Sequence, residues 1–235
     1  MALTVISSDM TTTLTVSATY GSWLVEQGVV INVDNTTGIS SFSDDDHRSL
    51  FIDGTVSGTN GIILGAGNGE GGDNRVFIGS TGAVHGADLN LGNAIVMNDG
   101  GNTVVNQGLV EGQYRGIFFN DTGNTVENSG TVIGQQSAIY AADSDLTITN
   151  SGLLTVANSS LHRDFEVTIR LQGDSSVANS GDIIAYGNKA ISVEDGGSVI
   201  HNTGSIINHA AGGYAFYSAA TSLGDSLYNS GRIVG

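Results

Sequence analysis

Residues 126–154 read VENSGTVIGQQSAIYAADSDLTITNSGLL, and the same phrase stands at both ends of the stretch. It is an apolar residue, any residue, Asn, any residue, Gly, any residue, then an apolar residue. As VENSGTV (126–132) and ITNSGLL (148–154) the two copies lie 22 residues apart. Outward from this pair it recurs as VVNQGLV (104–110), VANSGDI (177–183), IHNTGSI (200–206) and LYNSGRI (227–233). Degraded copies precede these: IGSTGAV (78–84), IDGTV (52–56) and VEQGVV (25–30). The anchor glycines are Gly28, Gly54, Gly82, Gly108, Gly130, Gly152, Gly181, Gly204 and Gly231, separated by 22 to 29 residues. A fixed minimum with irregular additions is expected of a coil of constant circumference that carries loops of varying length.

A second phrase keeps time with the first. It reads GIIL (61–64), AIVM (94–97), GIFF (116–119), AIYA (138–141), TIRL (168–171), AISV (190–193) and AFYS (215–218). Each repeat thus holds three short strands with period-2 alternation, and no segment sustains a 3.6-residue period. Helix is expected at most as a minor cap. The fold predicted is all-β: a right-handed, three-faced parallel β-helix of about nine coils, forming one domain over 1–235. Residues 1–24 are a first coil or an N-terminal cap, and 155–168 form a loop insertion. The right hand follows from the general preference of parallel crossovers.

Stacking like residues gives three core columns. They are Ile62, Ile95, Ile117, Ile139, Ile169, Ile191 and Phe216; Val104, Val126, Ile148, Val177, Ile200 and Leu227; and Val84, Val110, Val132, Leu154, Ile183, Ile206 and Ile233. The asparagines Asn106, Asn128, Asn150, Asn179, Asn202 and Asn229 are read as a structural ladder. Asn tolerates left-handed backbone at a tight turn, and its amide can donate to one neighbouring coil while accepting from the other. The glycine two residues on is expected to supply backbone freedom at the bend.

Composition narrows the function classes. There is no cysteine, which excludes disulfides and thiolate chemistry, and no proline, which suits unbroken strand ladders. Twenty-three Asp and Glu against seven Lys and Arg give a net charge of −16, so nucleic acid and anionic membranes are not expected partners. No apolar run approaches the length of a membrane span. The segment MALTVISSDMTTTLTVSATYGSW lacks the basic and continuous apolar regions of a secretory signal.

The N-[STQ]-G-x-[VIL] anchors, the AI phrases that follow them and the opening ISSDMTTTLTV (6–16) resemble the repeat regions of large secreted bacterial proteins. Two groups share the likeness: the haemolysin-type calcium-binding (RTX) proteins and autotransporter passengers. The resemblance covers nearly the whole chain and implies an extracellular or cell-surface location, reached without an N-terminal signal peptide. In the RTX group such regions often precede Gly-Asp-rich nonapeptides that bind calcium between turns. Here only GAGNGEGGDNRVFIG (65–79) approaches that pattern and its GGDN does not recur, so no metal and no cofactor are expected.

Parallel β-helices also resemble polysaccharide lyases and hydrolases, which need clustered acids with a base or a cation to neutralise an acidic sugar. Two clusters stand out. SDDDHR (43–48) alternates sides on an extended chain and reads as a solvated loop. HRDFE (162–166) lies in the longest interval between anchors, so His162, Arg163, Asp164 and Glu166 are the best catalytic candidates; without acids and bases on neighbouring coils, the chain leans away from enzyme. His85, His201 and His209 are scattered singly, His201 on an outward column. The residue after each central isoleucine should also point outward, giving Ile63, Val96, Phe118, Tyr140, Arg170, Ser192 and Tyr217. Phe118, Tyr140 and Arg170 on consecutive coils would make a strip about 10 Å long that stacks on sugar rings or meets a protein.

After the last anchor only Arg232, Ile233, Val234 and Gly235 remain, with no cap in view. Open ends imply a longer array or end-to-end stacking of copies, which propagates unless rotation closes it. The reading reached is a non-enzymatic extracellular β-solenoid scaffold or adhesin module that self-associates end to end. A carbohydrate-binding or carbohydrate-cleaving β-helix is the alternative, with polysaccharide as its partner.

Overall fold

The computed structural model describes residues 3–17, 20–42, 47–67, 72–88, 91–157, 166–219 and 224–235. They form three parallel sheets of ten, nine and nine strands, in which each strand pairs with the third one on in the chain, except that the first pairs with the third strand. No helix occurs among the described residues. One representative coil runs Thr125–Asn128 in the first sheet, Thr131–Gly134 in the second and Ser137–Ala141 in the third. The nine strands of the second sheet span about eight full turns, close to the nine coils counted from the anchors.

All three predicted columns are in register, and each extends toward the N-terminus. The third-sheet column continues through Ile39 to Leu14, the second-sheet column through Val56 to Ile31, and the first-sheet column through Val76 and Leu50 to Trp23. Interior members are fully buried or nearly so. At roughly 1.5–3 kcal/mol for each buried Val, Leu or Ile, three converging columns hold what no single coil could close around.

The asparagine ladder is present but stands on different backbone from that expected. Its six residues end first-sheet strands, and none is among the positive-φ residues described. From Asn106 to Asn202, each Nδ2 donates to the Oδ1 of the asparagine one coil on, at 2.7–2.8 Å. From Asn128 onward, each Nδ2 also donates to the carbonyl of its own anchor glycine. The same column is apolar in the earlier coils, where Ile6, Val25, Ile52 and Ile78 precede Asn106.

The anchor glycines likewise serve packing rather than backbone freedom. Only Gly28 among them has positive φ. A Cβ on Gly152 would lie 2.1 Å from the Gly130 carbonyl oxygen, and one on Gly181 2.2 Å from that of Gly152. Successive coils touch backbone to backbone at this corner, which only glycine permits.

Left-handed backbone sits instead at the corner leading into the first sheet. Tyr20, His47, Asp73, Gly101, Gly123, Asp145, Asp174, Gly197 and Gly224 all have positive φ, and each stands two residues before a first-sheet strand. The residue after it often caps the coil before. Asn74, Asn102 and Asn124 accept from the backbone N–H of Arg48, Asn74 and Asn102, while Ser175, Ser198 and Asp225 do so for Leu146, Ser175 and Ser198. A second polar ladder therefore runs along this corner, interrupted at Leu146.

Candidate functional site

The outward column of the third sheet is in the predicted register: Ile63, Val96, Phe118, Tyr140, Arg170, Ser192 and Tyr217 lie side by side on consecutive coils. Val96 and Ser192 are buried and the rest half-buried. In Arg115–Phe119 the burial pattern runs half-buried, buried, buried, half-buried, buried. Strict alternation would turn Arg115 inward with Ile117. The pattern slips by one residue there, so Arg115 and Phe118 share the outer side, with the Arg115 guanidinium 4.6 Å from the Phe118 ring centre. Lys189 precedes Ile191 in the same way and lies 3.8 Å from the ring centre of Tyr217.

Phe118, Tyr140 and Arg170 thus come together as expected, joined by Tyr114 and by Arg115 and Lys189, the last two of which strict alternation had hidden. Tyr140 meets Phe118 edge-on at 5.5 Å. It lies between Arg115 and Arg170, 4.0 and 4.7 Å from its ring centre, on the coils either side. Arg170 also donates to the Tyr140 hydroxyl and pairs with Glu194. Burial acts to lower the Arg170 pKa, but the hydrogen bond to Glu194 and the attraction of Tyr140 and Glu194 outweigh it and hold the pKa above its usual value. Arg115 donates to Gln136 Oε1 at 3.1 Å and to the Tyr114 hydroxyl at 3.3 Å. Its pKa is lowered by burial, which outweighs the attraction of Tyr114 and Tyr140, with repulsion from Arg170 adding a lesser lowering.

Tyr114, Arg115, Tyr140, Arg170, Lys189 and Glu194 line a groove of about 400 Å³, with Gln136, Ser137, Val167 and Asn188 completing it. Guanidiniums held against aromatic faces keep their positive charge, because a ring attracts a cation without neutralising it. Hydroxyls and side-chain amides between them can hydrogen-bond a polyol, so the groove can receive a hydroxyl-rich ligand with an acidic group.

Of the four catalytic candidates, Glu166 is the one among the described residues. His162, Arg163 and Asp164 lie outside the described residues, as do Asp44, Asp45 and Asp46. Glu166 is fully buried, its side chain packed over Gly187 and its carbonyl accepting from Asn188 and Lys189. His47 stacks on Tyr20 and approaches Asp73 at 3.4 Å; His85 approaches Glu111; His201 and His209 stack on Tyr228 and Tyr186. None of these pairs faces the groove. Among the described residues no three His, Asp or Glu side chains converge as metal ligands would. Comparison with protein-family models, with curated proteins and with solved structures finds no match to this chain.

Proposed function

We propose that the chain is a non-enzymatic β-solenoid scaffold or adhesin module, acting outside the cell and joining other copies end to end. One observation carries this reading. Interior members of the core columns, such as Ile191, Ile200 and Ile206, are fully buried, whereas Phe216, Leu227 and Ile233 on the last coil and Ile6, Met10 and Leu14 on the first are only partly so. Among the described residues, the outermost strand at each end of all three sheets pairs on one side only, and such an edge is a template for another parallel strand. The likeness of the anchors to RTX and autotransporter repeats supports a secreted setting. A high negative charge disfavours side-by-side contact, leaving the ends as the surfaces of easiest approach.

Sedimentation and negative-stain microscopy across concentration test it. Fibres of uniform width are expected to grow from single particles, and Leu227→Lys, which sets a charge on the final coil, should suppress them while leaving the circular dichroism of the single particle unchanged. Single particles at every concentration would refute end-to-end assembly.

The groove around Arg115, Tyr140 and Arg170 supports a second, compatible reading: binding of a carbohydrate along the third sheet. Its aromatic and guanidinium groups repeat at the coil spacing, a geometry suited to an extended chain of sugar rings.

A further inference from the structure

Seven residues of the chain are Lys or Arg, against 23 Asp or Glu. Among the described residues, three of these cations, Arg115, Arg170 and Lys189, line the groove described above, and Glu194 is the one acid there. Three positive charges and one negative leave a local surplus of two in a molecule whose net charge is −16. Only Arg170 is ion-paired, to Glu194. Arg115 touches Gln136, Tyr114, Phe118 and Tyr140, and Lys189 touches the Tyr217 ring and, at 3.4 Å, Ser192 Oγ. Among the described residues neither has an acidic side-chain partner. Both cations are therefore held in place by neutral groups with their charge uncompensated, which is how a protein prepares a site for an external anion. Desolvation of Arg115 raises what an incoming carboxylate would recover there.

We propose that this groove binds an oligosaccharide bearing carboxylates, with Arg115 and Lys189 reading the acidic groups and Gln136 and Asn188 meeting ring hydroxyls. The inference rests on the carbohydrate reading above and sharpens it to the chemical class of the sugar. Charge distribution selects this class over denser polyanions. A nucleic acid carries a phosphate on every unit and would meet the acidic body of the protein on both sides of two isolated cations. A uronic acid chain spaces its charges among neutral hydroxyls, matching cations on Arg115–Phe119 and Lys189–Val193, three coils apart with the two strands Ser137–Ala141 and Val167–Leu171 between them. Phe118, Tyr140 and Tyr217 supply apolar surface along the same line.

Calorimetric titration of the purified chain with galacturonic acid tetramers and hyaluronan tetrasaccharide, each against its methyl ester, tests this. The acids are expected to bind at least about tenfold more tightly than the esters, since a hydrogen bond to a charged group is worth about one such factor. Arg115→Gln and Lys189→Gln should each weaken acid binding about tenfold at unchanged thermal midpoint, and Lys189→Arg should restore it. Equal binding of acid and ester would overturn the charge readout and leave the carbohydrate reading standing. Absence of binding by all four probes would overturn both. Acid binding untouched by either substitution would place it elsewhere on the molecule and overturn the groove.

Discussion

Gly152→Ala is expected to destabilise the solenoid by about 3 kcal/mol, at the upper end of what overpacking usually costs. The added methyl would stand 2.1 Å from the Gly130 carbonyl oxygen and 2.6 Å from the Ser129 carbonyl carbon. Both are backbone atoms, so no side chain can swing away, and relief requires two coils to separate where Leu153 N–H donates to Gly130 O at 2.9 Å. Gly28→Ala provides the comparison. That glycine has open space around its Cβ position and φ of 84°, so alanine there meets only the left-handed strain of about 1–2 kcal/mol. Denaturant unfolding followed by far-UV circular dichroism measures both. If Gly152→Ala lost no more than Gly28→Ala, close coil approach would not be what glycine serves at the anchors.

Asn150→Ile should cost about 4 kcal/mol. It removes the acceptor of Asn128 Nδ2 and the donor to Asn179 Oδ1, each 2.7 Å, leaving two buried amide groups short of a partner at about 1–3 kcal/mol apiece. Asn106→Ile is expected to cost roughly half as much. Asn106 opens the ladder and bonds to one other asparagine, Asn128, with Ile78 on its other side. An isoleucine there lengthens the existing apolar column by one coil. Equal losses for the two variants would mean that the amides act singly and not as a row.

The fold was legible because stacking forces like onto like. Ile95, Ile117 and Ile139 must sit in register if Asn106, Asn128 and Asn150 do, so one repeated phrase carries the whole topology. What escaped the sequence did so for identifiable reasons. The second ladder uses Asn at 74, 102 and 124, Ser at 175 and 198 and Asp at 225: three side chains that offer the same oxygen acceptor and share no letter. A search for identical residues passes over it, although the Asp or Gly that precedes each of these six members was a usable sign. Arg115 and Lys189 escaped because period-2 alternation assigns them to the core, and the slip beside Gly116 and Ala190 turns them out again. Phe118, Tyr140 and Arg170 lie beyond the slip, where alternation holds. The anchor glycines were found for the right positions and the wrong cause: a close approach between coils is invisible until neighbouring coils are placed.

The change from isoleucine to asparagine within one column has a mechanical consequence. A solenoid of near-identical turns has no inherent way to distinguish a turn from its neighbour, and a slip of one turn would satisfy most strand pairing. The junction of Ile78 and Asn106 is an index mark: any slip sets an amide against a branched alkyl group at a second level, which the chain resists. In a fibre built head to tail, each joint would bring the terminal Asn229 onto Ile6 of the following copy, interrupting the amide row once per molecule. Such a fibre would carry evenly spaced planes of weakness, and under tension or sonication it would part into whole-molecule lengths rather than at random.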